Sequence, residues 1–135
     1  MNKTLARAAI PQTPQPVLTH AALATMPAAY VRKLEAEGVL TRADICMIIP
    51  DRTLNRRIAQ NQPLKVDEAD GIARLLRVRA HAMRLYDDRA ELAHEWLHSP
   101  NPALSNAVPM ELARTDLGAR EVETILGRME HGVFS

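Results

Sequence analysis

Apolar side chains recur at the spacing of an α-helix along most of the chain. The clearest run lies in residues 66–86, where apolar positions three and four residues apart continue through about five turns. Residues 119–130 repeat the same period and place their large apolar side chains on one face. No segment alternates apolar and polar residues as a half-exposed strand does. The pattern predicts an all-α protein.

Prolines and capping residues divide the rest of the chain into short helices. Thr41 is followed three residues later by Asp44, which is typical of a capping box at a helix start. Asp51 is in turn predicted to cap the next helix. The further predicted helices cover about residues 27–38, 42–48, 52–60, 89–98 and 109–113. Residues 1–20 contain three prolines amid Gln and Thr, which predicts a disordered N-terminal tail.

Composition places the chain among ordinary globular proteins. It has 135 residues, of which 47% are hydrophobic, and no apolar run approaches the length of a membrane span. No apolar block of signal-peptide length stands near the start, so we expect a cytoplasmic protein. The single cysteine, Cys46, lies among apolar residues and is predicted to be a small core residue. One cysteine excludes an internal disulfide framework.

Charge is distributed unevenly along the chain, although the net charge is only +1. Residues 41–80 hold eight basic and five acidic side chains, whereas residues 81–135 hold five basic and nine acidic ones. A basic middle and an acidic end indicate two surfaces with different partners.

Two short helices before a long one are typical of a helix-turn-helix. In the second short helix Leu54 and Ile58 lie on one face, and polar and basic residues lie on the others. Arginine can bind guanine with two hydrogen bonds, Asn and Gln can pair with adenine, and arginine can also contact phosphate. The predicted DNA-binding residues are Arg52, Thr53, Asn55, Arg56, Arg57 and Gln60. The alternative is a solvated basic helix face with no nucleic-acid partner.

Residues 94–98 match the H-E-x-x-H pattern of zinc proteases. The neighbouring Leu92, Ala93, Trp96 and Leu97 define the predicted buried face of this helix, so the two histidines are expected to point to solvent. A catalytic zinc ion needs a sheltered cleft and a third protein ligand, which nothing in the sequence positions. A small zinc hydrolase is therefore the least favoured interpretation, and we predict no catalytic residue, metal site or cofactor.

The C-terminal part resembles the toxin-binding domain of the Xre/MbcA/ParS antitoxins. The resemblance is carried by residues 96–104 (WLHSPNPAL), 108–112, 114–119, 122–126 and 130–135. Residues 48–60 and 63–86 resemble the Xre-like helix-turn-helix of the same proteins. One departure is the pair Ser105-Asn106, where family members often have two glycines.

The resemblance implies a bacterial, non-enzymatic antitoxin. Its domains would be an Xre-like helix-turn-helix domain over residues 21–86 and a small helical toxin-binding domain over residues 87–135. Its protein partner would be a RES-domain toxin that consumes NAD⁺ and whose active site the C-terminal region blocks. The N-terminal domain would bind operator double-stranded DNA and repress the antitoxin's own operon.

Candidate toxin contacts follow from the same resemblance and from exposure expected in loops. The C-terminal residues carry the only Phe and end in a carboxylate, a combination suited to a pocket for an anionic dinucleotide. The alternative for Phe134 is that it packs against the chain's own helices. The predicted toxin-binding residues are Asn101, Leu104, Asn106, Arg114, Arg120, Gly132, Val133, Phe134 and Ser135.

Two further expectations concern assembly and class. A helix-turn-helix protein usually binds two DNA half-sites, which predicts a homodimer or a higher hetero-oligomer with the toxin. The main alternative function is a helical transcription regulator or adaptor with no toxin partner.

Overall fold

A computed structural model describes residues 25–132 of the chain. In this range the chain forms seven α-helices and no strand, which confirms the all-α prediction. The helices are α1 (Ala28–Ala36), α2 (Arg42–Cys46), α3 (Asp51–Ala59), α4 (Val66–Leu85), α5 (Ala90–Leu97), α6 (Pro109–Leu112) and α7 (Asp116–Glu130). A 3₁₀ helix, Pro102–Leu104, lies between α5 and α6. The predicted tail and the C-terminal residues Val133, Phe134 and Ser135 lie outside the described residues.

Capping explains where the short N-terminal helices begin. The Thr41 hydroxyl accepts a hydrogen bond from the Asp44 amide at 3.0 Å, and the Asp44 carboxylate accepts one from the Thr41 amide at 3.1 Å. The predicted capping box of α2 is therefore confirmed. The prediction for α3 is wrong, because Pro50 occupies the cap position and Asp51 is the first helical residue. The Asp51 carboxylate does not cap α3; it forms ion pairs with Arg32 of α1 and Arg42 of α2.

The long helix α4 is the centre of the packing. It contacts both α5 and α7, and its residues Ala69, Ile72, Leu75, Val78 and Ala82 are all completely buried. The buried apolar side chains form one cluster that extends from residue 26 to residue 126. None of the helices in residues 25–132 combines the length and the apolar character needed to cross a membrane.

Two expectations about burial are wrong. On α5 Ala93 and Leu97 are buried as expected and Trp96 packs, partly buried, against the apolar cluster, but Leu92 is 38% exposed. A short helix that packs along one side of α4 buries a single stripe, so positions beside that stripe stay near solvent. Cys46, at the end of α2, is exposed and is not a core residue.

Candidate DNA-binding and toxin-binding surfaces

Helix α3 presents two arginines to solvent on the side away from the core. Leu54 is completely buried, whereas Arg52 and Arg56, one turn apart, are exposed. Within residues 25–132 neither guanidinium group forms an ion pair or hydrogen bond. Two exposed guanidinium groups one turn apart could contact the phosphates and base edges of a DNA duplex groove.

Arg57 does not share this exposed face. It lies three residues after Leu54, which turns it toward the core, and it is only 8% exposed. Its Nε lies 3.0 Å from Oε1 of Glu68, in the first turn of α4. Glu68 also accepts a hydrogen bond from the Lys65 amide at 2.8 Å, so one carboxylate caps α4 and holds α3 against it. The structure therefore assigns the Arg57 guanidinium to packing within the chain.

The N-terminal end of α3 is held by an ionic cluster, which we call the Asp51 junction. The Asp51 carboxylate forms two ion pairs: its Oδ1 lies 2.8 Å from Nη2 of Arg32 in α1, and its Oδ2 lies 2.7 Å from Nη2 of Arg42 in α2. The hydrogen bonds from Arg42 and then Arg32 lower the pKa of Asp51 to about 2. The Asn55 amide joins the junction by donating to Asp51 and accepting from Arg32. A base contact by Asn55 would therefore require these bonds to rearrange.

The two remaining DNA-binding candidates flank this face. Gln60 is exposed at the C-terminal end of α3, and Thr53 is half-buried. The exposed members of the predicted set are thus Arg52, Asn55, Arg56 and Gln60.

The loop after α5 is more closed than the sequence suggests. Asn101 uses its side-chain oxygen to accept a hydrogen bond from the Ala103 amide at 2.9 Å, which caps the 3₁₀ helix. Leu104 is only 8% exposed and packs in the apolar cluster, so its prediction as an exposed loop residue is wrong. The tight turn is the reason, since it folds Leu104 inward and leaves Asn106 exposed.

The departure from the family's glycine pair falls at the left-handed part of this loop. Ser105 has φ 55° and Asn106 has φ 65°, both in the region that glycine adopts most readily. The loop therefore has the backbone that a glycine pair would favour, although neither residue is glycine.

The other toxin-binding candidates lie at both ends of α7. Arg114 is exposed just before the helix, and Arg120 is exposed with its Nε 3.0 Å from Asp116 one turn earlier. Gly132 is the last described residue and follows His131, the capping residue at the C-terminal end of α7. Helix α7 contacts the 3₁₀ helix that Asn101 caps, so the loop lies against this helix.

His98 makes a contact that sequence reasoning missed. Its Nε2 lies 3.0 Å from both carboxylate oxygens of Asp44, and its Nδ1 lies 2.8 Å from the His94 carbonyl oxygen. The hydrogen bond with Asp44 raises the pKa of His98. Burial acts to raise the pKa of Asp44, but the hydrogen bonds from His98 and Thr41 outweigh it and lower the pKa.

This contact corrects the expected direction of the second histidine of H-E-x-x-H. Helix α5 ends at Leu97, so His98 is its capping residue and turns back to α2 instead of pointing to solvent. Among residues 25–132 no three His, Cys, Asp or Glu side chains come together as metal ligands. No sequence signal links Asp44 with a histidine more than fifty residues away, which is why the contact was not foreseen.

Comparison of the sequence with known proteins assigns the chain to a family. The family model described as the antitoxin Xre/MbcA/ParS C-terminal toxin-binding domain matches residues 81–132. An antitoxin Xre from Photorhabdus laumondii is 31% identical over 112 residues, which cover 82% of this chain and 76% of that protein. The chain belongs to the Xre/MbcA/ParS antitoxin family. The family's toxin-binding domain spans the end of α4 through Gly132 and leaves α1, α2 and α3 outside the match.

Two further relatives have similar names. An antitoxin Xre from Pseudomonas putida is 36% identical over 105 residues, which cover 78% of this chain and 65% of that protein. A Sphingobium protein named Prs ADP-ribosylating antitoxin is 26% identical over 91 residues, which cover 62% of this chain and 57% of that protein. The chain thus spans between about half and three quarters of the length of these family members.

Proposed function

We propose that this protein is a non-enzymatic antitoxin that neutralises a co-encoded RES-domain toxin which consumes NAD⁺. The observation that carries the proposal is the match of α5–α7 to a toxin-binding domain. The name of the Sphingobium relative refers to ADP-ribosylation, and transfer of ADP-ribose from NAD⁺ is one way in which a toxin would consume that cofactor. The acidic balance of residues 81–135 gives this half a surface distinct from the basic middle of the chain.

Neutralisation works by occupation of the toxin's active site. Helix α7 ends at Glu130, and the proposed blocking segment is residues 132–135. Its single Phe supplies apolar contact, which suits a pocket that binds a dinucleotide. Arg114 and Arg120 would meet acidic groups around that pocket.

The second part of the proposal is repression of the antitoxin's own operon. The exposed face of α3 would enter the major groove, with Arg52 and Arg56 as the principal contacts. A homodimer, free or bound to toxin, would place two copies of α3 on two half-sites. The N-terminal domain would comprise residues 21–86 and the toxin-binding domain residues 87–135, with α4 supporting both.

Co-expression with the adjacent gene tests the proposal. We expect the co-encoded protein to arrest growth alone, to be tolerated with the antitoxin, and to co-purify with it. Deletion of residues 132–135 should impair neutralisation but spare operator binding, because that segment is far from α3 in sequence. Arg52→Ala with Arg56→Ala should have the reverse effect. A co-encoded protein that never binds the chain would favour a transcription regulator without a toxin partner.

A further inference from the structure

One arginine just before the segment that matches the toxin-binding domain lacks the partners that the other buried arginines have. Four arginines of the described residues are at least partly buried, and three of them are paired. Arg32 binds Asp51, Arg57 binds Glu68, and the Arg74 Nε donates to the Ala113 carbonyl at 2.9 Å. A guanidinium group removed from water without such partners loses hydration and gains nothing in exchange.

Arg79 is the exception. It is half-buried on α4, and within residues 25–132 it makes no hydrogen bond or ion pair. Burial alone lowers the pKa of its guanidinium group, with no carboxylate to raise it. An arginine kept in this state is ready to bind an anion that arrives from outside the chain.

Arg79 lines a cleft of about 310 Å³ between the end of α1, α4, α5 and α6. The apolar part of the wall includes Val39, Ala93, Leu97 and Met110. A cleft of this size accepts one side chain of a partner with its aliphatic stem against these walls.

The other polar groups of the cleft leave Arg79 as its anion-binding group. His98 has both ring nitrogens engaged, one by Asp44 and the other by the His94 carbonyl. Glu91 also lines the cleft and carries negative charge, which opposes entry of a doubly charged group such as phosphate. The single guanidinium group offers a planar pair of N–H donors, which matches a singly charged, planar carboxylate on an alkyl stem.

We propose that the Arg79 cleft receives the carboxylate of an acidic side chain from the toxin. The inference rests on the proposed function, because seven of the ten residues that line the cleft lie in the segment that matches the toxin-binding domain. The toxin's carboxylate would accept two hydrogen bonds from Arg79 while its stem packs on the partly exposed Val39.

A titration of the free antitoxin tests the chemistry of the cleft. Sodium acetate should shift the Arg79 Nε–Hε and His94 amide signals in ¹H–¹⁵N spectra, with saturation at roughly 10 mM. Sodium chloride at equal ionic strength should not saturate these shifts, and inorganic phosphate should bind more weakly than acetate. Arg79→Met should abolish the response, whereas Arg84→Met, on an exposed arginine of the same helix, should retain it. Tighter binding of phosphate than of acetate would overturn the assignment of a carboxylate.

Binding to the co-encoded toxin tests the source of the carboxylate. Arg79→Met should weaken the complex at least about 10-fold and reduce its salt dependence, while Arg84→Met should stay within about 2-fold of the parent. The stability of Arg79→Met should not fall, since no internal partner is lost. Toxin affinity unchanged by Arg79→Met would refute the proposal. If the parent chain itself fails to bind the toxin, the proposed function fails, and the acetate titration still decides whether the cleft binds a carboxylate.

Discussion

At the scale of single residues, two neighbouring arginines of α3 have different environments. Arg56 is exposed and unpaired within the described residues, whereas Arg57 is buried against Glu68. Arg57→Met should lower the free energy of unfolding by about 3 kcal/mol, because it leaves a largely buried carboxylate without its cation. Arg56→Met should change stability by less than about 0.5 kcal/mol. Urea unfolding of the two variants measures the difference.

The same pair separates stability from the proposed DNA contact. Arg56→Met should weaken operator binding about 10-fold and reduce the slope of log Kd against log salt by about one. Arg57→Met, assayed at a temperature where it is folded, should retain the parent's salt slope. If Arg57→Met lost the slope and Arg56→Met kept it, the orientation of α3 on DNA would be wrong.

The His98–Asp44 pair makes stability depend on pH. The raised pKa of His98 contributes stability that is complete below about pH 6.5 and is lost as the pH rises through the folded pKa. The lowered pKa of Asp44 contributes stability above about pH 4 that is lost on further acidification. His98→Gln should therefore cost about 1–3 kcal/mol at pH 5.5 and clearly less at pH 9.

Chemical unfolding of parent and His98→Gln at the two pH values checks this expectation. His94→Gln is the matched control, because His94 is exposed and its contact with His98 is through the ring face and its own backbone carbonyl. An equal cost for His98→Gln at both pH values would contradict a charged pair.

Residue positions within a helix were partly predictable. The period placed Leu54 in the core and Arg52 and Arg56 outside, and the structure agrees. Arg57 and Leu104 were misplaced because their burial depends on which other element lies opposite. A helical wheel gives the faces of one helix, but it does not show that Glu68 of α4 lies beside Arg57.

At the scale of elements, the start of α7 depends on a glycine. A Cβ atom on Gly118 would lie 1.9 Å from the Leu112 carbonyl oxygen, so the chain between α6 and α7 has no room for a side chain there. Gly118→Ala should destabilise the protein by about 3 kcal/mol or more. Gly127→Ala in the same helix meets no atom within 4 Å and should stabilise it by about 0.5–1 kcal/mol through helix propensity.

Thermal unfolding of the two glycine variants decides whether the close approach is real. The Gly127→Ala midpoint should rise and the Gly118→Ala midpoint should fall relative to the parent. Equal, small effects at both positions would show that α6 and α7 can separate without cost.

Element existence and bounds were predictable to within about two residues, because capping residues and prolines mark helix ends locally. Thr41 and Asp44 gave the start of α2, and Pro109 gave the start of α6. The beginning of α7 was missed, since the helical period was recognised only from residue 119, whereas the helix begins at Asp116 after its cap Thr115. The Asp51 junction was also missed, because it joins three helices through side chains whose meeting no local pattern encodes.

At the scale of the whole molecule, the two halves share one core. The apolar cluster runs without a break from the N-terminal helices through α4 to α7, and His98 links α5 to Asp44 in α2. The surfaces proposed to bind toxin and DNA are therefore built on the same buried side chains. A core substitution in one half should weaken both halves together.

Leu54→Ala tests this shared core, because Leu54 is completely buried in α3 and the only tryptophan, Trp96, lies in α5. The free energy of unfolding of this variant should be about 2–4 kcal/mol lower than that of the parent. The urea midpoints reported by Trp96 fluorescence and by far-UV circular dichroism should coincide before the substitution and shift equally after it, as expected for a single cooperative transition. Leu117→Ala removes a side chain that is 70% exposed. It should change the free energy of unfolding reported by either probe by less than about 0.5 kcal/mol. A Trp96 transition that stays in place while the circular dichroism transition moves would mean that the halves unfold separately, and toxin binding would then survive damage to the N-terminal helices.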